Sequence, residues 1–132
     1  MTPMTIHTDL DIVEAEAAVR DGLAAHGFGG LTEIDIAATF KAKLDVDRTP
    51  LKILGACNPH LAHQALDVDP DAALVLPCNV VLETTTNGTT ITAADPHDII
   101  TNPALKDLAD DAANKLRAAL HTIPATTGLN PT

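Results

Sequence analysis

A chain of 132 residues with a net charge of −10 is long enough for one hydrophobic core, and its eight Lys and Arg scattered among eighteen acids cannot form a phosphate-binding face. The core must be aliphatic, because Phe28 and Phe40 are the only aromatics; the same acidity disfavours anionic membranes and nucleic acid as partners. With no run of about 18 apolar residues and no basic, apolar leader, neither a membrane span nor a secretory signal is expected, and two cysteines fit a reducing cytoplasm better than a disulfide framework.

No repeat, linker or low-complexity tract divides the chain, so a single domain over residues 1–132 is expected. Its ordered part should run from about 5 to 123, with fraying at 1–4 and from Pro124 onward. Thr5 to Thr8 alternates as a short strand. Leu10, Val13, Ala17, Leu23 and Ala24 then recur at helical spacing until Gly27 stops them. Leu31 to Ile36 alternates again, and Ala37 to Leu44 reads as a short amphipathic helix.

The run from Leu51 to Cys57 is a further strand, after which Asn58-Pro59 reads as an N-cap and first helical proline, opening a helix through Leu66. Two strands are expected at Ala73–Thr85 and Thr89–Ala94, joined at Asn87-Gly88, the strongest short hairpin signal in the chain. Pro77 predicts a bend just before Cys78, since a proline inside a strand belongs at an edge or bulge. Pro103 opens the last helix, whose apolar face is Leu105, Leu108, Ala112, Leu116, Ala119 and Leu120. Hairpin-linked strands between two long helices indicate an α+β domain with an antiparallel sheet and helices on one face.

The chain contains no serine, which removes the serine nucleophiles, and Gly27, Gly29 and Gly30 match no glycine-rich phosphate fingerprint. Its most informative local feature is a repeat in miniature: Ala56-Cys57-Asn58-Pro59 ends one strand and Pro77-Cys78-Asn79-Val80 lies in another. On neighbouring strands the two thiols could approach each other with His60 and His63 nearby. Cys57, Cys78 and His63 then become a candidate soft-metal or redox set. The plainer alternative is that both cysteines are small core residues. Glu33 and Asp35 share a strand face and form a candidate carboxylate pair, more at home on a solvated surface than in a cleft. His7, His26, His97 and His121 are dispersed and read as surface or helix-end residues.

The segments GFGGLTEID, KILGACNPHLAHQAL and LPCNV resemble the family known as domain of unknown function 302 (DUF302), over about Glu14 to Leu116. The resemblance implies a β-α-β(4)-α domain similar in architecture to the TATA-binding-protein fold, with Cys57 and Cys78 where relatives often carry cysteine. It also implies a homodimer and no established enzymatic activity.

The leading expectation is therefore a cytoplasmic, homodimeric binding or structural domain, in which the Thr32–Asp35 strand and the two Cys-Asn segments enclose a pocket. Its site residues are Glu33, Cys57, Asn58, His63, Cys78 and Asn79, open to a small molecule or a metal. A thiol-dependent metal or redox protein using Cys57 and Cys78 is the second reading, and a Cys-His enzyme the third. No particular cofactor follows from the residues.

Overall fold

The computed structural model describes residues 2–126, apart from the side chains of residues 30 and 31. Strand β1 (Met4–Thr8) leads into helix α1 (Ile12–Ala25), strand β2 (Gly29–Asp35) and helix α2 (Ile36–Leu44). Strand β3 (Leu51–Cys57), helix α3 (Pro59–Val68), a 3-10 turn over Pro70–Val75 and the hairpin of β4 (Cys78–Thr85) and β5 (Gly88–Ala93) follow. The chain closes with the short helix α4 (Pro96–Ile99) and helix α5 (Lys106–His121).

The strands form one five-stranded sheet in the order β1-β5-β4-β3-β2, antiparallel at every step. Because strand side chains alternate, one face collects Met4, Ile6, Leu54, Ala56, Val80, Leu82, Ile91 and Ala93, all buried. Helices α1 and α5 cover that face with Val19 and Leu23 from the first and Leu116 and Leu120 from the second. Each fully buried Leu or Ile contributes about 1.5–3 kcal/mol of transfer free energy, so a core built mainly of aliphatic side chains, with Phe28 among them, suffices. The α+β class and the antiparallel sheet are as the sequence predicts. Among the described residues, no helix is long and apolar enough to cross a membrane.

Four details depart from expectation. Met4, placed in a fraying start, is fully buried and pairs with Ala93 across β1 and β5, while Thr126 beyond Pro124 donates its backbone N–H to His7 O at 2.8 Å. Residues 127–132 of the expected tail lie outside the described residues. In α1 the buried stripe is Ala15, Val19, Gly22 and Leu23, whereas Val13 is 75% exposed and Ala17 and Ala24 face solvent. The helix carries small or apolar residues on more than one side, so spacing alone recovered Leu10 and Leu23 but not Ala15, Val19 or Gly22.

The strand expected from Ala73 begins only at Cys78, because Asp69 caps a 3-10 turn that Pro70 opens, and Leu74 within it is 83% exposed. The predicted bend is there: Leu76–Pro77 is cis, immediately before the strand. Finally, α4 was not foreseen, although Asp95-Pro96 has the form of a cap followed by a first-turn proline, and the Asp95 side chain does accept from His97 N.

Candidate functional site

Strand β3 delivers its last residue, Cys57, to the start of α3, where Asn58 Oδ1 accepts the Leu61 N–H at 3.3 Å and Pro59 occupies the first turn. On the adjacent strand, Cys78 pairs with Ala56. Ala56 and Cys78 therefore share the buried face, and below them, at the end of the sheet, the core divides. A second cluster of Ala65, Ala72, Ile100, Leu105 and Ala109 stands beside the main one.

Between the two clusters lies an apolar pocket. Phe28, Ala56 and Cys78 form its sheet side, Leu61, Ala62 and Ala65 of α3 one wall, and Leu108 and Ala112 of α5 the other; Ala72, Val75 and Ile100 complete it. Five of these residues are alanines, and where a larger side chain would fill the gap they leave a free volume of about 20 Å³, enough for the centre of one water-sized sphere.

Of the six candidate site residues, Asn58 and Cys78 line this pocket. Asn79 opens instead onto a shallow groove with Leu74, Leu76, Pro77 and Ala94. His63 is exposed on α3, with Nε2 3.7 Å from Asp67 Oδ2. Cys57 is half-buried, and strand alternation sends its side chain to the face opposite Cys78. Among the described residues, no group of three or more His, Cys, Asp or Glu is placed to hold a metal ion, so Cys57, Cys78 and His63 are not a preformed ligand cluster. Burial pushes the Cys78 thiol up to about 11, with the nearby charge of Cys57 adding to the shift.

The Thr32–Asp35 segment, expected to wall the pocket, does not reach it. Glu33 belongs to an ion-pair ring on the helix side of the sheet edge: Lys52 Nζ donates to Glu16 at 2.8 Å and to Glu33 at 2.9 Å, and Arg20 donates to both carboxylates at 2.9 Å. Asp35 caps α2 by accepting the Ala38 N–H at 2.9 Å. The proposed carboxylate pair is thus divided between two structural tasks.

Sequence reading also missed a histidine. His97 donates from Nδ1 to Asp95 Oδ1 at 2.8 Å and from Nε2 to Asp110 Oδ1 at 2.5 Å, bridging α4 to α5. The cap signature at Asp95-Pro96 could have located its first partner. Nothing local points to Asp110, thirteen residues away.

Three comparisons bear on this geometry. A comparison with curated proteins finds no match. The crystal structure of an uncharacterised conserved DUF302 protein from Bacillus stearothermophilus is similar, with a TM-score of 0.81 and 28% identity over 89% of this chain and 94% of that one. The family model described as "Domain of unknown function DUF302" matches residues 4–123, so the five-stranded sheet, its covering helices and both cysteine segments all fall within the match, and the chain belongs to the DUF302 family.

Proposed function

We propose that this protein is a non-catalytic binding domain whose pocket, beside the Cys57-Asn58-Pro59 and Pro77-Cys78-Asn79 segments, takes a small uncharged aliphatic group. The observation that carries the reading is the wall chemistry. Alanine, leucine, isoleucine and valine side chains converge there, the buried thiol of Cys78 is neutral, and Asn58 spends its carbonyl oxygen on the helix cap. Such a wall offers dispersion and water exclusion but no partner for a charge.

As folded, the pocket has room for little more than a methyl group, so a chain enters by displacing part of the wall. The Pro70–Val75 turn is suited to move, because Ala72 is its only buried residue. The neutral dye Nile red tests the reading: its emission should rise and shift to the blue with the native protein, and Ala62→Leu, which fills the pocket from a half-exposed position on α3, should abolish most of the signal. Equal fluorescence from both proteins would contradict it.

The domain is further proposed to act as a homodimer in the cytoplasm, without nucleic acid. The family resemblance and the net charge of −10 support this, and the sheet face opposite α1 and α5 supplies a surface. There Ile34, Ile53 and Val81 stand in one row across β2, β3 and β4, with Ile34 51% exposed.

A thiol function is the second reading, supported by the position of Cys57 and Cys78 at the ends of the adjacent strands β3 and β4. A Cys-His enzyme ranks below it, since His63 is turned toward Asp67.

A further inference from the structure

The bridge between α4 and α5 carries a chemical requirement of its own. A carboxylate only accepts hydrogen bonds, so a ring whose two nitrogens each meet a carboxylate oxygen must carry both N–H groups and be an imidazolium. His97 meets Asp95 on one side and Asp110 on the other. The neutral ring has a single N–H and can keep one of them. Its other nitrogen then turns a lone pair toward an anion.

Of the two elements that His97 joins, α5 lines the apolar pocket and α4 carries the next residue, Ile100, into its wall. Ile100 follows α4 directly and donates its N–H to Pro96 O at 2.9 Å, while Leu108 and Ala112 flank Asp110 on α5. We propose that His97 is a pH-sensitive latch: as the imidazolium it clamps α4 to α5 and closes the Ile100 side of the pocket, and on losing its proton it frees α4 from α5.

The surrounding carboxylates hold the imidazolium, and a lysine stands ready to replace it on one of them. On its own segment His97 has Asp95 and, one residue on, Asp98, whose carboxylate accepts the Thr2 backbone N–H at 3.1 Å. From α5 it faces Asp110, whose other oxygen accepts from Lys106 Nζ at 3.3 Å; Asp107, also on α5, is exposed. Asp110 therefore retains a cation after His97 lets go, and the lost contact is the one between helices. The ring is 44% exposed, so its proton exchanges directly with solvent.

Hydrogen bonding to Asp110 is the largest influence on His97; although burial opposes it, Asp95 adds to it and the titration is raised above the ordinary 6.5. A histidine raised in the folded state contributes fully below 6.5 and loses its contribution as pH rises through the folded value. The latch is closed in mildly acidic solution and opens toward the alkaline side.

The test needs no ligand, so it stands or falls apart from the binding reading. The His97 ring and the methyl groups of Ile100 and Leu108 are followed by NMR across about pH 5.5 to 9. In the wild type the methyl shifts should move with the His97 midpoint, above 6.5. His97→Gln should remove that methyl transition, and Asp110→Asn should lower the ring midpoint and carry the methyl midpoint down with it. A His97 midpoint at or below the ordinary value, or methyl transitions that persist unchanged in His97→Gln, would overturn the proposal.

Discussion

Cys78 faces Ala56 across β3 and β4 on the buried side of the sheet, so Cys57, one residue beyond Ala56, leaves the strand on the other side. The thiols are neighbours in the backbone and divergent in their side chains. A disulfide requires Cβ vectors that converge, and this register does not supply them.

The first prediction follows from that divergence. Native protein should take up one equivalent of a thiol alkylator, at Cys57, with Cys78 reacting only after denaturation. With its titration pushed up to about 11, Cys78 is ionised to only about one part in a thousand near pH 8. Mass mapping of the alkylated peptides reads the result directly, and equal labelling of both residues in the native state would contradict the placement. Because the buried thiol stays neutral longer than the unfolded one, stability should fall as pH rises from 9.0 toward about 11, and Cys78→Ala should flatten that part of the profile.

The crossing of α1 and α5 depends on Gly22. A Cβ built there would lie 2.6 Å from Ala119 O and closer still to Thr122 Oγ1. Alanine ordinarily stabilises a helix interior by about 0.5–1 kcal/mol over glycine, but a backbone carbonyl cannot turn aside as a side chain can. Gly22→Ala should therefore destabilise the fold by about 1–3 kcal/mol, seen as a lower urea midpoint at unchanged slope. A neutral or stabilising result would mean that the helices separate at no cost.

The ring of Glu16, Arg20, Glu33 and Lys52 should show itself in acid. Burial pulls the Glu16 titration upward, yet hydrogen bonds from Lys52 and Arg20 outweigh it and hold the carboxyl below its ordinary 4.5. Its contribution is then full above 4.5 and is lost as pH falls through the folded value. Lys52→Met should cost about 1 kcal/mol near neutral pH, and the gap from wild type in urea titrations should narrow in acid below about pH 4.5. A gap independent of pH would assign the loss to packing of the lysine stem.

What the sequence revealed was mostly short-range chemistry. Asn58-Pro59 caps α3 where the residues predict, whereas Asn87-Gly88 locates the hairpin one residue late: the turn lies at Thr86-Asn87, and Gly88, at φ 151°, already pairs with Thr85. The face of α1 was ambiguous because Val13 and Ala17 compete with Ala15 and Val19, and only the docked sheet and α5 decide between the stripes. Ala73–Val75 has a strand's composition, but Asp69 and Pro70 turn it into 3-10 geometry. Two of the six candidate residues, Asn58 and Cys78, lie on the pocket, whereas the rest of its lining, from Phe28 to Ala112, is brought together by tertiary packing alone. Glu33 was noticed for its charge and assigned to the wrong place, because its partners Arg20 and Lys52 lie on two other elements.

The binding reading meets its most direct test in a titration of the methyl-labelled protein with 1-octanol, an uncharged aliphatic probe suited to an apolar wall. Saturable shifts should appear at Leu61, Ile100 and Leu108 around the pocket, with Leu82 and Ile91 in the main core unmoved. Ala62→Leu should weaken the binding at least tenfold, roughly the 1.4 kcal/mol that a lost methylene-sized contact or two represents. Shifts spread evenly over both clusters, or shifts at Leu61, Ile100 and Leu108 that Ala62→Leu leaves intact, would contradict a specific site between α3 and α5.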